Sequence, residues 1–149
     1  CHYDKVVVMS EMDDFIESLR EAFFALRSLS TRLLADLECS PAERGVLAEL
    51  GNQGPRPVPA MARVRGISRQ AMQKAVDAMI ERGWLRPEPN PEHARSQLIA
   101  LTPAGDKLWI VIKKREAAAL VAREVPVSAT ELARAAAVLA KLKPFFEEA

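Results

Sequence analysis

A helix stop and a helix start fall within four residues of each other at Arg65-Gly66-Ile67-Ser68. Val58 to Val64 reads as a short helix that ends before Gly66, and Ser68 is an N-cap for a second helix from Arg69 to Arg82. Gly83 then closes that second helix. So tight a turn packs the two helices against each other at a steep angle, as a helix-turn-helix. In the second helix Met72, Ala75, Val76, Met79 and Ile80 recur at helical spacing and form one buried stripe. Arg69, Gln70, Gln73, Lys74 and Asp77 group on the other face, toward the helix start.

The same punctuation orders the rest of the chain. Ser10 to about Leu37 reads as one long helix capped by Ser10, with Phe15, Leu19, Ala22, Phe23, Leu26, Leu29, Leu33 and Leu37 as its apolar stripe. Residues 1–8 read as an upstream extension, with Met9-Ser10-Glu11 a natural start. Ser40-Pro41-Ala42-Glu43 is a capping box that opens a helix through Val46, Leu47 and Leu50, stopped at Gly51-Asn52-Gln53-Gly54-Pro55. After Gly83, Trp84-Leu85-Arg86 and Ser96 to Leu101 read as two short strands joined by an exposed loop, where Pro87, Pro89 and Pro91 keep the sheet from extending. Thr102-Pro103 starts a helix to about Glu124, which Pro126 breaks. Ser128-Ala129-Thr130-Glu131 is a second capping box and opens a last helix through Leu142, ended or kinked by Pro144. The expected fold is mainly α with one small β-hairpin, and the long helices lie at the two ends.

Charge is unevenly spread. The net charge of the 149 residues is +1, yet residues 1–54 hold 5 Lys and Arg against 10 Asp and Glu, and residues 55–95 hold 8 against 4. The helix-turn-helix therefore sits in a basic island, a footprint for nucleic acid that a solvated charged face would explain equally well on charge alone. Two cysteines, Cys1 and Cys39, are too few for a disulfide framework and show no metal spacing. No apolar run spans a bilayer, and Val6-Val7-Val8-Met9 is too short for a signal sequence, so the expected compartment is the cytoplasm. His2 and His93 are the two histidines, neither beside a nucleophile, and no Gly-rich phosphate loop is present. An enzyme is not expected, nor is a cofactor.

The polar face of the second helix has the chemistry of base recognition. Glutamine pairs with adenine through two hydrogen bonds, and arginine does so with guanine. Ser68 and the free N–H groups of the helix start suit a phosphate oxygen. Arg63 and Arg65 stand where backbone phosphates would pass, and Arg95 lies on the hairpin.

From Ser40 to Leu108 the chain resembles the MarR family of winged-helix regulators. The matching residues are Ser40 to Leu47, Gly66-Ile67-Ser68-Arg69-Gln70, Met79 to Leu85, and Leu101-Thr102-Pro103-Ala104-Gly105. The resemblance implies a homodimer in which residues 10–37 and 103–148 form dimerisation helices and residues 40–101 a winged helix-turn-helix lobe. It implies double-stranded DNA with a pseudo-palindromic operator as partner, a recognition helix at Ser68 to Arg82 and a wing at Pro87 to Gln97. The DNA-binding residues it supports are Arg63, Arg65, Ser68, Arg69, Gln70, Gln73, Lys74 and Arg95. The family's wing carries an Asp-x-Arg pattern whose Arg enters the minor groove. Arg95 matches that Arg, but His93 stands at the Asp position and Ala94 between them, with Glu92 as a substitute brace. The resemblance further implies a repressor relieved by a small aromatic or phenolic effector. Two alternatives remain: a winged helix that binds protein, and a redox-sensing repressor acting through Cys39, whose thiolate a helix N-terminus would stabilise.

Overall fold

The computed structural model describes residues 2–91, 96–122 and 124–147, with side chains from Ser10 onward. The elements run α1 (His2–Leu34), α2 (Pro41–Gln53), β1 (Arg56–Pro57), α3 (Val58–Arg65), α4 (Arg69–Glu81), β2 (Leu85–Glu88), β3 (Leu98–Leu101), α5 (Pro103–Val121) and α6 (Ala129–Glu147). They fall into two compact units, residues 1–116 and 117–149.

The core of the first unit gathers Leu34, Val46, Leu47, Leu50, Met61, Met72, Val76, Met79, Leu85, Ile99, Trp109 and Ile112. Each comes from the apolar stripe of its element. On α4, Met72, Val76 and Met79 are fully buried while Arg69, Gln70, Gln73 and Lys74 are exposed, so one helix separates a packing face from a polar one. The ends of the helix pair are set by local chemistry. Gly66 has φ +62, and the N–H groups of Gly66 and Ile67 donate to the carbonyls of Arg63 and Ala62. Gly83 has φ +74, and Gly83 and Trp84 donate in the same pattern to Ile80 and Met79. Both helices thus end in Schellman motifs, in which a glycine takes the left-handed conformation at no steric cost. Ser68 Oγ accepts from the Ala71 N–H at 3.1 Å and caps α4. The Ser40–Glu43 capping box closes reciprocally, at 3.2 and 2.8 Å.

Four features differ from the sequence expectations. Ser10 does not cap α1. The helix already runs from His2, because no Gly or Pro interrupts the chain upstream. Pro87 lies inside β2, paired opposite Ile99, and the sheet has a third strand, β1, in the antiparallel order β1-β3-β2. Both prolines, Pro57 and Pro87, are on edge strands, where a missing N–H costs no ladder bond. Pro144 does not end α6, which continues to Glu147. So near the C-terminus its ring removes one hydrogen bond, to the Ala140 carbonyl. Finally, α5 ends at Val121, three residues before Glu124.

α5 is anchored in the first unit by side chains. Thr102 Oγ1 donates to the Gly83 carbonyl at 2.6 Å and accepts from the Gly105 N–H at 3.1 Å. Arg44 on α2 grips Glu116 with two parallel bonds of 2.8 and 2.7 Å. Arg115 pairs with Asp36 and donates to the Leu33 carbonyl. In the second unit the Ser128–Glu131 capping box opens α6 as expected. No helix among the described residues is long and apolar enough to cross a membrane.

Candidate nucleic-acid interface

Burial of Met72, Val76 and Met79 under α4 leaves the outer face of the helix to water. Gln70, Gln73, Lys74, Asp77, Ala78 and Glu81 line a shallow open groove along it. Gln73 Nε2 donates to Asp77 Oδ1 at 2.8 Å, one turn apart. This bond orients the amide, because a carboxylate accepts only from the NH₂ end. The carbonyl oxygen and the second N–H of Gln73 remain available. Arg69, Gln70 and Lys74 stand exposed beside it. Ser68 uses its oxygen as an acceptor inside the cap, which leaves its O–H free to donate outward. Arg63, in the last turn of α3, is exposed.

Arg65 is placed differently from Arg63. Its Nε lies 3.8 Å from Glu49 Oε2, and its guanidinium occupies the space that a Cβ on Gly45 would fill. The side chain keeps 31% of its surface exposed but points its charge back onto α2. Arg95, with His93 and Glu92, lies outside the described residues. On the described part of the wing, Arg86 pairs with Glu88 at 2.6 Å.

Sequence reasoning missed two groups. One is the Glu49–Arg56–Arg65 cluster, since contacts between residues on three different elements leave no periodic trace. The other is Arg82, which pairs with Glu43 at 3.1 Å, donates to the Glu38 carbonyl at 2.9 Å and stacks over Trp84. It ties the end of α4 to the start of α2.

Cys39 precedes the α2 cap, where a redox role would need a stabilised thiolate. Cys39 is 5% exposed, and burial, reinforced by the Glu43 carboxylate, pushes its thiol up to about 11. Such a thiol is protonated and poorly nucleophilic at neutral pH.

A helix-turn-helix followed by a small antiparallel sheet, with the second helix presenting amide and cationic side chains to solvent, defines a winged helix-turn-helix of the DNA-binding class. The sequence profile of the MarR family matches residues 40–96. The uncharacterized HTH-type transcriptional regulator YpoP of Bacillus subtilis (strain 168) is 31% identical over 97 residues, which cover 65% of this chain and 68% of that protein. The chain belongs to the MarR family of transcription regulators, which are not enzymes. Its fold is that of solved members. The apo form of MarR from E. coli gives a TM-score of 0.71 at 20% identity, over 85% of this chain and 93% of that one. MarR from Staphylococcus aureus, in complex with salicylate and kanamycin, gives 0.76 at 17% identity, over 91% and 92%.

Proposed function

We propose that this protein is a homodimeric, sequence-specific DNA-binding repressor that reads a pseudo-palindromic operator. The observation that carries this reading is the outer face of α4, where exposed Arg69, Gln70, Gln73 and Lys74 ride on a helix held rigid from below by Met72, Val76 and Met79. Gln73, Gln70 and Arg69 contact base edges, with Lys74 on bases or nearby phosphates. Ser68 and Arg63 bind phosphate, and Arg95 enters the minor groove from the wing. Arg65 adds positive charge beside the phosphate path while its guanidinium faces Glu49.

Dimerisation uses helices within residues 10–37 and 103–148. Phe23, Phe24 and Leu26 on α1 are exposed in the single chain, as are Leu132, Val138, Phe145 and Phe146 on α6. Apolar surface of this kind favours burial against a second copy. A small aromatic or phenolic ligand releases the operator. The support for that class is the salicylate bound to the Staphylococcus aureus relative.

The test is selection of bound duplexes from a random pool, followed by affinity measurements on the winner at two salt concentrations. A two-fold symmetric motif is expected, with affinity falling steeply as salt rises. A folded dimer that enriches no motif would sink the proposal and leave a protein-binding winged helix.

A further inference from the structure

Glu49 is a charged side chain withdrawn from water, 4% exposed, and neither of its oxygens accepts a hydrogen bond within the described residues. A carboxylate in that position is strongly destabilising unless cations lie close by. Two do, one toward each oxygen. Arg56 Nε is 3.8 Å from Oε1 and Arg65 Nε is 3.8 Å from Oε2. Arg56 also donates to Gln53 Oε1.

The three residues belong to three different elements. Glu49 is on α2. Arg56 is in β1, in register with Ile99 of β3, at the root of the wing sheet. Arg65 is the last residue of α3, directly before the Gly66 turn that leads into the Ser68 cap. α2 is shaped for this arrangement a second time. Gly45 lies one turn before Glu49 on the same face, and any Cβ there would overlap the Arg65 guanidinium. A vacant position and, one turn later, a carboxylate together make a slot for that side chain.

We propose that Glu49 is a positioning residue for DNA recognition. Through Arg65 it fixes the turn that aims α4, and through Arg56 it fixes the root of the wing. One buried charge thereby sets the spacing between the element that enters the major groove and the element that reaches the minor groove. An apolar residue would fill the space without dictating where two guanidinium groups rest. The inference rests on the DNA-binding function proposed above, and it gives Arg65 an aiming role rather than a base or phosphate contact of its own.

The test compares the wild type with Glu49→Gln and Gly45→Ala on two duplexes, the selected operator and a scrambled sequence, each at two salt concentrations. Glu49→Gln keeps the shape and removes the charge. Gly45→Ala keeps the charge and closes the slot, so it reads the same device if the first variant fails to fold. With unchanged circular dichroism, operator affinity is expected to fall about tenfold, near the cost of one mismatched base pair. Scrambled DNA should be bound as before, with the same salt slope. Equal losses on the operator and on scrambled DNA, in a variant whose circular dichroism is unchanged, would overturn the assignment. So would an operator preference left intact in both variants. So would a rise in both affinities with a steeper salt slope, since the arginines would then be phosphate ligands held in reserve. A wild type with no operator preference overturns the proposed function itself, which separates the two failures.

Discussion

Gln73→Ala is the most direct test of base reading by α4. In the free protein Gln73 Nε2 donates to Asp77 at 2.8 Å, which leaves its carbonyl oxygen and one N–H for a partner. An adenine edge needs that pair at N6 and N7. The cost to the fold is small. A Gln–Asp pair one turn apart contributes about 0.2–0.5 kcal/mol to a helix, and the higher helix propensity of alanine roughly offsets it. The cost to recognition is larger, about 1–3 kcal/mol for a bidentate contact, which corresponds to roughly 5- to 150-fold in affinity. The assay is a matrix: wild type and Gln73→Ala against four duplexes that differ at one base pair of one half-site. The variant should lose affinity on the preferred base and almost none on the other three. Asp77, freed of its partner, accepts from a cytosine N4, so a residual preference for cytosine is expected. Arg95→Ala is the contrast, with a comparable loss on all four duplexes. Equal losses across the four for Gln73→Ala would refute the reasoning and remove the residue from base readout.

Met79, fully buried beneath α4, should cost about 2–5 kcal/mol of unfolding free energy when replaced by alanine; an unchanged denaturant midpoint would show that this layer is not packed as described. Cys39, with its thiol pushed up to about 11, should resist alkylation near pH 7.5 and react faster as pH rises toward that value, and Cys39→Ser should bind DNA normally with or without peroxide. The bond from Arg115 holds the Asp36 carboxyl below the ordinary carboxylate range. The folded state therefore binds fewer protons, and this stabilisation is complete above the unfolded carboxyl pKa near 4 and fades as pH falls below it. Denaturant midpoints of wild type and Asp36→Asn should accordingly converge on acidification, and a gap that widens would contradict the pairing.

The sequence made the ends of elements legible wherever a single residue has one conformational use. Gly66, Ser68 and Gly83 bound α4 to within a residue because left-handed glycine and a serine cap act locally. The same local reasoning misplaced Ser10, and of the end or kink expected at Pro144 the end does not occur. A cap is a preference that a helix can override when nothing breaks the chain before it, and a proline in a last turn costs only one bond. The polar face of α4 was equally visible, since helical spacing alone groups Arg69, Gln70, Gln73 and Lys74. Glu49, Arg56 and Arg65 could not be seen this way. In sequence they read as ordinary charges in a mixed stretch. Only the fold brings them to one point, and only burial makes their pairing obligatory.

The uneven charge has a consequence once the elements are placed. Glu11, Asp13, Asp14, Glu17 and Glu21 are exposed along α1, whereas Arg63, Arg69 and Lys74 are exposed on α3 and α4. The near-zero net charge therefore conceals an uneven distribution, acidic along the start of α1 and basic over the helix-turn-helix. Much of the local positive charge is also committed. Arg44 is held by Glu116, Arg82 by Glu43, Arg86 by Glu88, and Arg56 and Arg65 by Glu49. With those cations paired inside the lobe, the phosphate contacts proposed above fall on Arg63 and Lys74, which stay exposed. Under the proposed function, the discrimination between one sequence and another falls on the amides of Gln70 and Gln73. In such a protein salt sets how tightly any duplex is held, and the geometry of α4 sets which one.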